Sequence, residues 1–99
     1  MVDLMKLTLK SRLLLLFKEE GEMWVQDAVD RLLTVEGMKK TERWAWVIRF
    51  YMMEMSVNGM LEILDEALDD GTYFGQDVIL TKYKITDFGI ERVNAVLGE

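Results

Sequence analysis

Five consecutive residues, Lys39-Lys40-Thr41-Glu42-Arg43, hold most of what this chain can offer a ligand. Thr41 is a residue of the N-cap type, and Glu42 stands where the first turn of a helix favours an acid. The first-turn amides of a helix have no intrahelical partner, so two lysines placed ahead of them make a seat for a phosphate-like anion. The plainer alternative is a solvated loop, because exposed lysines contribute little by themselves. Other chemistry is scarce. The chain has no histidine and no cysteine, which removes the commonest general base, the usual zinc ligands, thiol nucleophiles and disulfides. Ser11 and Ser56 are the only serines, and neither sits in a nucleophile motif. The acidic stretch around Asp69 and Asp70 lacks the alternating ladder and closing glutamate of a calcium loop. No catalytic residue, metal site or cofactor is expected.

The formal net charge of −6 weighs against a polyanionic partner, but it is unevenly spread. Residues 60–77 carry Glu62, Asp65, Glu66, Asp69, Asp70 and Asp77 with no Lys or Arg, and they account for the whole imbalance. A surface away from them can be locally basic. Ninety-nine residues, 51% of them hydrophobic, suit one domain over 1–99 that fills its core without staples. No apolar run exceeds five residues, far short of a bilayer span. The start, MVDLMKL, is too short and too charged for a signal peptide. A soluble cytoplasmic protein with no membrane partner is expected. The missing cysteine, two Gln, two Asn and 30% charged residues lean toward a thermophilic source.

The elements around the basic pentapeptide must position it. Thr41 to Val57 reads as one helix capped by Thr41. On a helical wheel Trp44, Val47, Ile48, Tyr51 and Met55 form a core stripe. Trp46, Phe50, Met53 and Val57 form a second apolar face, with Arg43, Arg49 and Glu54 on its flanks. A helix apolar on two sides needs burial on two sides, one in its own domain and one against its own hairpin or a partner subunit. Upstream, Thr8 to Glu20 is a helix with Leu9, Leu13, Leu16 and Phe17 inward, ended by Gly21. Glu22-Met23 is a short extended bridge. Trp24 to Val35 is a second helix, with Val25, Ala28, Val29 and Leu32 inward and Gly37 as its cap. Met1 to Leu7 is a lead-in whose Leu4 and Met5 can join a dimer seam. After Asn58-Gly59 the period changes. Residues 60–68 suit either a strand or, with their Leu, Glu and Ala, a helix. Residues 78–86, VILTKYKIT, form the strongest strand in the chain and need an antiparallel partner. The expectation is therefore a hairpin over about 60–86 with its loop at 69–77, Tyr83 and Ile85 inward and Lys82 and Lys84 outward. Thr86-Asp87 opens a last helix to Leu97, with Phe88, Val93, Val96 and Leu97 inward. The class is α+β, mostly α.

Three helices, a hairpin and a closing helix follow the order of a winged helix-turn-helix domain. Asn58-Gly59-Met60-Leu61-Glu62 resembles the junction where the recognition helix of such domains passes into the wing. Tyr83-Lys84-Ile85-Thr86-Asp87-Phe88-Gly89 resembles the Tyr-x-Leu-Thr-x-x-Gly that ends the wing in PadR-like and MarR-like regulators of bacteria and archaea. The order covers residues 8–97, and the two motifs cover about twelve residues. The resemblance implies that 41–57 is a recognition helix whose first residues meet base edges in the major groove. Lys39, Lys40, Thr41, Glu42 and Arg43 match that position, with Arg43 suited to guanine. Arg49 lies further along, Lys10 adds to the electrostatic approach, and 69–77 is the wing tip. It further implies a small transcriptional regulator that binds double-stranded DNA as a homodimer, and the surplus apolar surface at Trp46, Phe50 and Met53, or at Leu4 and Met5, is then expected to form the dimer seam. Two features depart from the pattern: an acidic wing, and an aromatic outer face on the third helix. They favour the alternative of a winged-helix protein-interaction module that docks on a basic partner.

Overall fold

The computed structural model describes residues 8–97, so the lead-in Met1–Leu7, with Leu4 and Met5, lies outside the described residues. In chain order come α1 (Leu9–Glu20), β1 (Glu22–Trp24), α2 (Val25–Val35), α3 (Glu42–Val57), β2 (Leu61–Asp70), β3 (Gln76–Ile85) and α4 (Asp87–Leu97). The described residues thus give an α+β chain, mostly helical, with one antiparallel sheet in the order β1-β3-β2. This arrangement is compatible with a small winged-helix-like fold. No helix among the described residues is long and apolar enough to cross a membrane.

The sheet differs from the expected two-stranded hairpin in two ways. The bridge at 22–23 is a strand, with Glu22 opposite Lys84 and Met23 opposite Tyr83. A strand as strong as β3 offers two edges, and β1 takes the second, helped by an ion pair of 3.1 Å between Lys82 Nζ and Glu22. The hairpin is also longer than expected. Asp70 pairs with Gln76, beyond the expected strand ends, so the ladder runs on into the acidic segment and the connecting loop shrinks to 71–75. Tyr83 and Ile85 face inward and Lys84 outward, as the alternation requires.

Helices α1 and α2 bury the stripes their spacing predicts. Leu13, Leu16 and Phe17 are buried on α1, and Val25, Ala28, Val29 and Leu32 on α2. Phe17 meets Tyr83 edge-on at 6.5 Å between ring centroids, tying α1 to the central strand. Helix α3 is turned from its expected seating. It buries Ala45, Ile48, Met52 and Met55, whereas Trp44 is 37% exposed and Val47 and Tyr51 are half-buried. The small Ala45 and the flexible Met52 let the helix sit close to its neighbours, and the indole of Trp44 is left at the rim. Its N-cap is the expected one, with Trp44 N donating to Thr41 Oγ1 at 3.2 Å.

The chain reverses after α3 at Gly59, whose φ of 82° is left-handed. Met60 N then donates back to Met55 O at 2.8 Å, and β2 begins. The same junction receives the end of β3. Thr86 N donates to Met60 O at 3.1 Å, and the Thr86 hydroxyl donates to Gly59 O at 2.6 Å. Thr86 Oγ1 also accepts from Gly89 N at 3.0 Å, which caps α4. Gly89 lies so close to this junction that a Cβ there would fall on the Met60 carbonyl and within 2.8 Å of Ile85 Cγ1. That approach sets the buried line of α4 along Gly89 and Val93, with Ile90 and Leu97 partly buried. Phe88 and Val96, expected inside, are 48% and 36% exposed because they lie off that line. Gly89→Ala should therefore destabilise the fold by about 1–3 kcal/mol through overpacking, read as a lower midpoint in thermal and denaturant unfolding. An unchanged midpoint would mean that α4 is free to move off Met60.

Candidate nucleic-acid interface

Lys39, Lys40, Thr41, Glu42 and Arg43 are all exposed at the N-terminal end of α3. Lys40 Nζ lies 2.8 Å from Asp30 Oδ1, and both side chains are about half exposed. An ion pair so open to water contributes little and exchanges easily for another anion. Arg43 makes no ion pair among the described residues. With Glu42 as the only acid, residues 39–43 keep a positive balance in front of the first-turn amides.

Arg49 sits two turns along α3, its guanidinium 4.3 Å from the centre of the Phe74 ring. This is cation–π distance, and it ties α3 to the hairpin loop. The two elements form the walls of a groove of about 410 Å³, with Lys40, Thr41, Trp46 and Arg49 on the helix side and Tyr73 and Phe74 on the loop side. Lys10 does not join this group. Its Nζ is 3.5 Å from Glu54 Oε1 and 6.0 Å from the centre of the Tyr51 ring, on the C-terminal half of α3. At 1.5 Å per residue Glu54 is about 20 Å along the axis from Thr41.

The loop wall owes its shape to a residue whose role the sequence pattern did not reveal. Asp69 is 2% exposed. Its Oδ1 accepts from Gly71 N at 2.9 Å and Tyr73 N at 3.3 Å, and its Oδ2 from Phe74 N at 2.6 Å and Gly75 N at 3.1 Å. Burial by itself pushes this carboxyl up. The amides of Phe74, Gly75, Tyr73 and Gly71 more than offset that and bring it from 3.8 to about 2. Asp70 acts similarly on a smaller scale. Its Oδ1 accepts from the Thr72 hydroxyl and from Thr72 N, which lowers its carboxyl despite burial and the neighbouring Asp69 charge. The signal in the sequence is an Asp followed by glycines two and six positions on, the pattern of a side chain that folds a turn around itself. Asp69 is thus turned away from any ligand at the tip, contrary to the simple picture of an acidic wing.

The second apolar face of α3 is uncovered. Trp46 is 60% exposed, Phe50 42%, Met53 54% and Val57 83%, and the Trp46 and Phe50 rings stack 5.4 Å apart at 6°. The chain's own hairpin therefore does not bury this row. Among the described residues no group of three acidic side chains is gathered as metal ligands. No protein family, characterised protein or solved structure matches the chain.

The Asp69 cage gives a signed pH dependence. A carboxyl held below its unfolded value stabilises fully above that value and loses the contribution as it protonates. The order of 71–75 should be complete above pH 3.8 and fade as pH falls through about 2. Amide resonances of Gly71, Phe74 and Gly75 followed by NMR should show this step, and Asp69→Asn should remove it. A step near pH 2 that persists in the Asn variant, or loop amides that keep their wild-type positions there at neutral pH, would mean that the loop has another organiser.

Proposed function

We propose that this chain is a winged-helix DNA-binding protein that acts as a homodimer, in the manner of a small transcriptional regulator. The observation that carries the proposal is the start of α3, where Lys39, Lys40 and Arg43 are all exposed and Lys40 lines a groove whose far wall is Tyr73 and Phe74 of the hairpin loop. The element order and the β1-β3-β2 sheet support a winged-helix assignment, since they bring a helix start and a hairpin tip to the same side. Contact would begin with phosphates at Lys39 and Lys40, with Arg43 and Thr41 reaching base edges.

The uncovered row on α3 fits a second copy. The N-terminal end of the row is flanked by Lys39, Lys40 and Arg43 and the C-terminal end by Glu54. Two α3 helices crossing antiparallel would therefore set opposite charges side by side. A two-fold axis at Phe50 would separate the two Thr41 positions by about 27 Å along the axis, and one at Met53 by about 36 Å. These values bracket the roughly 34 Å between successive major grooves on one side of B-DNA. A seam at Trp46, Phe50 and Met53 and a duplex contact at 39–43 are thus compatible in one dimer.

One observation favours a second reading. The stacked Trp46 and Phe50 lie one and two turns past the basic residues, and aromatic side chains read bases poorly in the major groove. The same face would suit a protein-interaction module with no DNA role. Fluorescence titration with duplex DNA separates the two. The regulator reading requires binding that weakens with salt, and no binding to any duplex at low salt would leave only the second. Lys39→Glu with Lys40→Glu should abolish duplex binding while the fold, followed by circular dichroism, stays intact. Retained affinity would place the contact elsewhere. For the seam, Phe50→Glu with Met53→Glu should convert a dimer to a monomer in light scattering. A dimer that persists would rule out this face.

A further inference from the structure

We infer that the free edge of β2 accepts an extended, Lys- or Arg-rich segment of another protein as a fourth strand of the sheet. With the order β1-β3-β2, one side of β2 pairs with β3 and the other has no strand among the described residues. Every residue from Glu62 to Leu68 is exposed. An edge of this length with no cover presents a row of backbone donors and acceptors to any extended chain. Its side chains narrow the choice of guest. Ile63, Leu64 and Leu68 are 52%, 44% and 67% exposed, and Ile79, opposite Leu68 on β3, is 55% exposed. Between them stand Glu62, Asp65 and Glu66, none in an ion pair among the described residues, and β2 has no Lys or Arg.

These charges discriminate between occupants. A second copy laid edge to edge would set one row of carboxylates against the same row, and like charges directly opposite destabilise a ladder. Nucleic acid is refused for the same reason. A segment that alternates cationic and apolar residues answers both the carboxylates and the exposed aliphatics. The register shift between Ile63 and Asp65 divides the edge, and the Glu66 amide there is already held by Asp65 Oδ1 at 2.8 Å. Such an irregularity blocks a flat, promiscuous pairing, so the guest must match a defined register. This surface uses residues different from those proposed for the duplex, and it stands whether or not the chain binds DNA.

The test uses the full chain and a synthetic peptide of alternating Lys and Val, as long as β2. Amide hydrogen exchange followed by NMR should slow by about tenfold or more within 62–68 when the peptide is added. A peptide of equal charge with every backbone amide N-methylated should give no slowing, because neither of its edges can join a ladder. Glu62→Lys with Glu66→Lys should weaken peptide binding by about tenfold or more. If that variant fails to fold, the two peptides on the unaltered chain still decide. Equal effects from the two peptides would reduce the interaction to bulk charge attraction and overturn the proposal. Protection confined to α3, or no protection at low salt, would also overturn it. Slowing at 62–68 that rises with protein concentration before any peptide is added would assign the edge to a second copy instead.

Discussion

Most of this structure hangs on one hydroxyl. Thr86 lies where four elements meet: α3 has just ended at Gly59, β2 is about to begin, β3 has finished and α4 starts. Its oxygen donates to Gly59 O and accepts from Gly89 N, while its own amide holds Met60 O. The central strand is thereby fixed to the exit of α3 at the point where the closing helix sets off. Gly89 allows this because nothing larger than hydrogen fits between α4 and the Met60 carbonyl. The hairpin cannot swing relative to α3 without breaking these bonds, so the groove between α3 and the loop inherits its position from a junction well removed from the basic residues.

The acidic segment is less uniform than its composition. Asp69 spends its charge on four amides and builds the loop, and Asp70 holds Thr72. Glu62, Asp65 and Glu66 remain in solvent along β2. Carboxylates that accept backbone donors set local shape, and carboxylates that face water set partner choice. A single net charge therefore conceals three surfaces with different chemistry: a basic helix start, a self-bonded tip and an anionic sheet edge.

Much of the architecture was legible in the sequence because it rests on periodicity and caps. The stripes of α1 and α2, the Thr41 cap, the reversal at Gly59 and the alternation at Tyr83 and Ile85 follow from local pattern alone. What pattern could not supply was tertiary fit. Helix α3 is apolar on two sides, so its wheel did not specify which side would seat, and Ala45 and Met52 won over Trp44 and Tyr51. The strand β1 has only three residues and exists because β3 has a spare edge. The grouping of Lys39 to Arg43 followed from adjacency in the chain. Arg49 joins them only through Phe74, and Lys10 sits with Glu54, and neither placement is written in local spacing. Asp69 falls in the expected hairpin loop, and its burial appears only once the loop closes over it.

The cage at Asp69 separates the form of the hairpin tip from its decoration. The bonds that shape it come from main-chain amides of 71, 73, 74 and 75, which every residue except proline possesses. Tyr73 contributes its amide to the cage and projects its ring outward, 46% exposed. That side chain can therefore be exchanged for almost any other with the scaffold kept, so that the chemistry presented at the tip can change while folding is untouched. Replacing the aspartate itself would strip that licence from the whole segment at once.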